Sequence, residues 1–154
     1  NSEKRNSLRP DTIMIQNRGK PEQKIFVLDS KYYQYGATKN PNHLPDSASV
    51  VKQLAYAEYI ANPKNKSRLP SDIQQNLDSQ KIYNAFIMPA FVNESQNIGF
   101  VSADYALPQD SEQTEKPYHK IYGILLDTRT LMHSHRPHNI QAIAELAQKI
   151  AGGR

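Results

Sequence analysis

Two short apolar runs joined by a turn-rich segment constrain this chain more than any other feature. Thr12-Ile13-Met14-Ile15 and Ile25-Phe26-Val27-Leu28 have the β-branched and aromatic content of strands. Gln16 to Lys24, between them, holds Asn17, Gly19 and Pro21, residues that favour turns, so the strands are predicted to fold back on each other as a hairpin. Pro10-Asp11 opens the first run and Asp29-Ser30-Lys31 closes the second. In an antiparallel pair the start of one strand lies beside the end of the other, so Asp11 and Asp29 are expected to converge. Alternation along a strand puts residues i and i+2 on one face, which turns Lys31 to the same side as Asp29.

Two carboxylates and a lysine so placed suit metal-dependent phosphodiester hydrolysis. A phosphodiester repels hydroxide, and water is almost wholly protonated at neutral pH. A hard divalent cation lowers the pKa of bound water and takes up charge on the phosphoryl oxygens. Mg²⁺ keeps several of its waters, so one or two carboxylates and a backbone carbonyl suffice to hold it. Asp11, Asp29 and the main-chain oxygen of Ser30 are the expected set. Lys31 would orient or deprotonate the water, or act as a point charge on the transition state.

The Pro10-Asp11 and Asp29-Ser30-Lys31 pattern resembles the PD-(D/E)XK nuclease superfamily, with the aromatic cluster Tyr32-Tyr33-Gln34-Tyr35 following. In the next amphipathic segment, Lys52-Gln53 and Tyr56 are similar to the K-Q-x-x-Y helix of several restriction enzymes. Gly99-Phe100, Tyr118-His119-Lys120-Ile121 and Leu126-Asp127-Thr128-Arg129-Thr130-Leu131-Met132 add a resemblance to LlaJI-type restriction endonucleases and McrC-like nuclease subunits. The resemblance implies an α/β fold, a restriction-endonuclease-like mixed β-sheet flanked by helices, acting on double-stranded DNA with Mg²⁺. Gln53 would then hydrogen-bond a metal-bound water or a DNA phosphate, the alternative being a capping or helix-surface role. Lys52 would lie on the surface or contact phosphate. Many members of the superfamily carry an acidic residue on a helix before the first strand, whereas here Glu3 is the sole acidic residue ahead of Pro10. Either the chain is the C-terminal catalytic part of a longer protein or the site manages without that helical acidic residue; the expectation is the first, one catalytic domain over residues 1–154.

Composition sets the outer bounds. A length of 154 residues suits one domain with one sizeable core. Hydrophobic residues make up 38% and the mean hydropathy is −0.73, with no apolar run near the roughly 20 residues that cross a bilayer. No apolar stretch of a signal peptide opens the chain, so a cytoplasmic location is the expectation. The absence of cysteine excludes disulfides and thiolate metal sites, in keeping with an oxygen-ligated cation. A net charge of +4 suits a polyanionic partner.

Further along, Thr38 to Asp46 carries Pro41 and Pro45 and reads as a loop. Ser47 or Ser49 is expected to cap a helix to about Ala61, with Val50, Val51, Leu54, Ala55, Ala57 and Ile60 as its apolar stripe. Asn62 to Pro70 is basic and bounded by prolines, so Lys64, Lys66 and Arg68 are candidate DNA contacts on an exposed loop. A short helix is predicted over Ser71 to Leu77. Strands are predicted over Ile82–Phe91, Asn97–Leu107 and Lys120–Leu126, an acidic loop over Pro108–Pro117, and a helix over Asn139–Ala151.

Plainer readings stand beside these. Asp11 can be a turn residue after proline, Asp29 a loop carboxylate and Lys31 a solvated lysine; their conjunction is what favours a site. Tyr32, Tyr33 and Tyr35 either stack on bases or pack against the fold. His133, His135 and His138 have no neighbouring carboxylate and are broken by Arg136 and Pro137, so they read as loop imidazoles rather than metal ligands. His119 reads equally as a surface residue at a strand start. Two functions of different class remain: a Mg²⁺-dependent endonuclease of a restriction system, and an inactive nuclease-like DNA-binding or scaffolding module. A repair or recombination nuclease, or one acting on RNA, is the variant within the enzyme class. No predicted helix carries the Arg/Asn/Gln cluster of a major-groove reader. Sequence choice is therefore expected to lie in a separate DNA-recognition domain or subunit, with a homodimer as a further possibility.

Overall fold

The computed structural model describes residues 9–90, 100–104, 116–127 and 140–152. Their elements run β1 (Thr12–Gln16), β2 (Lys24–Ser30), α1 (Tyr35–Thr38), α2 (Ser47–Ala61), α3 (Ser71–Gln74), β3 (Ile82–Ala90), β4 (Phe100–Asp104), β5 (Lys120–Asp127) and α4 (Ile140–Gly152). Short 3₁₀ segments at Pro41–His43, Pro63–Arg68, Ser79–Lys81 and Pro117–His119 lie between them.

The five strands form one mixed sheet in the order β1-β2-β3-β5-β4. The β1–β2 and β4–β5 pairs are antiparallel, and β2–β3 and β3–β5 are parallel. The predicted hairpin is present, with Thr12 opposite Leu28 and Ile15 opposite Ile25. Its turn places Asn17 (φ 52°) and Gly19 (φ 74°) in the left-handed region, which asparagine and glycine adopt at least cost. Gln23, buried beneath the turn, accepts from the Gly19 N–H at 3.0 Å and donates to the Ile73 carbonyl at 3.1 Å, tying the hairpin to α3.

Parallel β2 and β3 require a crossover, and α2 supplies it. Helices on both faces explain why β2 is buried from Ile25 through Asp29 without alternation. On one face Ile25, Val27 and Ile82 pack under Tyr56, Ala57 and Ile60 of α2, with Ile73 and Tyr118 beside them. On the other, Phe26, Leu28, Ala85 and Ile124 meet Ala147 and Ile150 of α4. The Phe26 and Tyr83 rings stack at 5.2 Å. Each fully buried apolar side chain of this kind contributes about 1.5–3 kcal/mol.

The structure corrects several local expectations. Asp46, not Ser47 or Ser49, caps α2: its carboxylate accepts the Ser49 N–H at 2.8 Å, where the helix dipole also favours a negative charge. The third helix is one turn, ending at Gln74 rather than Leu77; of the strand expected over 97–107, residues 100–104 form β4 and the rest lie outside the described residues. Thr38 to Asp46 is not all loop, since α1 ends at Thr38 and Pro41–His43 forms a turn of 3₁₀ helix. Among the described residues no helix is long and apolar enough to cross a membrane.

One glycine is fixed by close approach. A Cβ on Gly36, in α1, would run into the Pro89 carbonyl oxygen and crowd Ala90 Cα at 3.0 Å. Gly36→Ala is expected to cost about 1–3 kcal/mol, as overpacking of a rigid contact does. Thermal denaturation checks it: a Tm unchanged from the parent would mean that α1 does not dock this closely on β3.

Candidate active site

The register that fixes the hairpin also builds the site. Thr12 lies opposite Leu28, and one step further along both strands brings Asp11 beside Asp29. The Ser30 N–H donates to Asp11 Oδ2 at 3.0 Å, and the two aspartate carboxyls are hydrogen-bonded to each other. Lys31 Nζ lies 2.6 Å from Asp29 Oδ2, and the Lys31 N–H continues the sheet by donating to the Ile87 carbonyl at 2.9 Å. Asp29 is 5% exposed, whereas Asp11 is open to solvent. Thus Asp11, Asp29 and Lys31 come together as their order in the sequence implies, at the C-terminal end of β2 and on the α2 face of the sheet.

The electrostatics of the trio are asymmetric. Burial pushes the Asp29 carboxyl above the ordinary carboxylate range, and its hydrogen bond to Asp11 adds to that. Asp11 is held below that range, first by the hydrogen bond from Asp29 and then by the Ser30 N–H. The Asp29 carboxylate in turn pushes Lys31 up. Two carboxyls in contact need a positive partner between them, and without another ion a shared proton fills that part. The donor set therefore fits a hard oxygen-seeking cation that would let both carboxylates ionise. Among the described residues no third Asp, Glu, His or Cys joins them, so waters and backbone carbonyls would complete a Mg²⁺ shell, with Ser30 on the intervening stretch of chain.

Around this centre the predicted site residues separate. Lys52, on α2, holds its ammonium 5.8 Å from the Tyr56 ring centroid, and its charge acts favourably on the Asp11 carboxylate. Gln53, expected to reach a metal-bound water or a phosphate, is instead wholly buried, its amide nitrogen donating to the Val27 carbonyl at 2.7 Å. Its Oε1 is buried without a hydrogen-bond partner in the described structure. Gln53 thus braces β2 two residues upstream of Asp29. Lys64, Lys66 and Arg68 lie past the C-terminal end of α2, whose 15 residues span about 22 Å. The helix runs back against β2, so these three stand at the end of the sheet away from the carboxylates. Arg68 there donates to the Tyr59 hydroxyl at 2.9 Å.

The tyrosines divide as well. Tyr33 and Tyr35 pack against Met88, Ala90 and Leu125, and the Tyr33 hydroxyl meets Ser49 Oγ at 3.3 Å. Tyr32 is 93% exposed. His119 accepts the Lys116 N–H at 3.2 Å and meets the Tyr118 ring edge-on, a packing role. His133, His135 and His138 lie outside the described residues. Asp46 was not among the expected site residues, yet its charge and that of Lys31 attract each other across the mouth of the site. The sequence placed Asp46 at the end of a loop, and only the fold shows that it caps α2 within reach of the Lys31 charge.

Residues 1–109, well over half of the chain, match the family model described as LlaJI restriction endonuclease. No curated protein and no solved structure matches the chain.

Proposed function

Since the chain belongs to the LlaJI restriction endonuclease family, a family of restriction nucleases, we propose that it is a Mg²⁺-dependent cleavage domain hydrolysing phosphodiester bonds of double-stranded DNA. The observation that carries this reading is the contact of Asp11 with Asp29, with Lys31 2.6 Å from Asp29. Asp11 and Asp29 would hold the ion, with the Ser30 carbonyl as the backbone donor. When bound, the ion supplies Lewis-acid polarisation of the phosphate and acidifies a water. Lys31, fixed by Asp29, places a point charge at the attacked phosphate as negative charge builds on its oxygens. Lys52 adds a second cation on the α2 side, suited to a flanking phosphate. Such contacts position the duplex and read no sequence. A DNA-recognition domain or subunit elsewhere therefore belongs to the proposal, as does a second copy of the chain for the opposite strand.

An inactive scaffolding module would have no need to keep two carboxylates in contact, an arrangement that costs stability. A repair or recombination nuclease is disfavoured by the family. The test is metal exchange on plasmid and linear duplex DNA. Cleavage is expected with Mg²⁺, none with EDTA, and binding without cleavage in Ca²⁺, whose looser coordination supports the complex but not the chemistry. Undiminished cleavage in EDTA would overturn the metal assignment.

A further inference from the structure

Across the end of β2 from the carboxylates, on the side of the sheet where Ile87 and Ile124 lie, is a second feature that hydrolysis alone does not need. At the C-terminal rim of β2, β3 and β5 a cleft of about 210 Å³ is lined by Ser30, Lys31, Tyr32, Ile87, Met88, Pro89 and Leu126. Its walls are largely apolar, with the hydroxyls of Ser30 and Tyr32 and the ammonium of Lys31 as the polar groups. Lys31 stands on the rim between cleft and carboxylates, in contact with Asp29 on one side and lining the cleft on the other.

Tyr32 is held out over this cleft by an anchored segment. The Lys31 N–H is bound to the Ile87 carbonyl, the Tyr33 ring is packed and its hydroxyl meets Ser49, and Gly36 lies against Pro89 and Ala90. The residues on both sides are fixed, yet Tyr32 is 93% exposed. A flat aromatic face presented on a rigid base, above apolar walls and beside the Lys31 ammonium, has the chemistry that recognises a nucleotide.

We propose that this cleft receives the nucleobase of a nucleotide adjoining the phosphate to be cut, unstacked from the duplex and stacked on Tyr32. The proposal rests on the nuclease reading above and names how that site grips its substrate. A stacking platform of this kind tolerates any base, since every base has a π-face. It therefore adds affinity and local distortion of the strand without adding sequence choice.

The experiment combines a side-chain deletion with a base deletion. Cleavage positions are first mapped with the parent chain and Mg²⁺. Duplexes carrying an abasic residue at each nucleotide beside the cut are then compared with intact DNA, for binding in Ca²⁺ by fluorescence anisotropy and for cleavage in Mg²⁺. On intact DNA Tyr32→Ala is expected to weaken binding and raise KM about tenfold, with kcat changed far less, and Tyr32→Phe is expected to restore both. On the duplex lacking the stacked base, Tyr32→Ala should cost nothing further, because the two deletions remove one interaction. Equal losses on intact and abasic DNA at every position, or no loss at all, would overturn the stacking. If Asp29-dependent cleavage persists in that case, the nuclease reading survives alone. If the parent chain neither binds nor cuts any duplex, both fall.

Discussion

Asp29→Asn and Asp11→Asn are each expected to cut Mg²⁺-dependent cleavage by roughly three orders of magnitude or more, the scale of losing one group from a preorganised charged set. Each change keeps the shape of the side chain and removes the charge that draws in a hard cation. The informative companion measurement is stability. In the metal-free protein Asp29 is buried with its carboxyl pushed up, and its nearest carboxyl neighbour is Asp11. Asparagine at 29 buries no charge and can donate to Asp11, so the Tm of metal-free Asp29→Asn should not fall even as activity disappears. Calorimetric titration should show weakened Mg²⁺ binding in both variants. Substantial cleavage by either one at saturating Mg²⁺ would sink the assignment. Loss of activity together with a large fall in Tm would show that the aspartates hold the hairpin rather than a metal.

The hairpin and its acidic ends were legible because strand alternation and turn chemistry are local rules. Once Ile25–Leu28 pairs with Thr12–Ile15, Asp11 has nowhere to lie but near Asp29, and Lys31 follows by parity. The order of the remaining elements was legible for the same reason, as periodicity survives translation into tertiary structure. Direction was not. Lys64, Lys66 and Arg68 are basic and exposed, which composition reports, but they follow a crossover helix whose end lies away from the site, which needs the parallel β2–β3 pairing. Gln53 shows a different limit. A polar residue beside an apolar stripe looks available for chemistry, yet a buried strand carbonyl is equally able to claim its amide. Among Tyr32, Tyr33 and Tyr35, identical in type and adjacent in sequence, only the packing under Met88 and Leu125 separates ring from ring.

Lys31→Ala is expected to lower turnover by about 10²- to 10³-fold while affinity for duplex DNA in Ca²⁺ changes little. Lys31 Nζ is 2.6 Å from Asp29 Oδ2, so the charge sits beside the carboxylates and not among the exposed lysines of the surface. One lost phosphate contact would change the logarithmic salt dependence of binding by about one unit at most, a small part of the whole. Charge that matters only when negative charge develops on the phosphoryl oxygens appears in kcat rather than in Kd. Lys31→Arg keeps the charge but replaces a compact ammonium with a broad planar fork, so only part of the loss should return. Alanine also leaves the buried Asp29 without its ammonium partner, which should push that carboxyl further up and weaken Mg²⁺ binding at lower pH; assays at several pH values and saturating Mg²⁺ separate this effect from a direct role in turnover. Should Lys31→Ala lose binding and cleavage in the same proportion under those conditions, the lysine is a phosphate contact and the transition-state charge must come from elsewhere, with Lys52 the next cation along the α2 face.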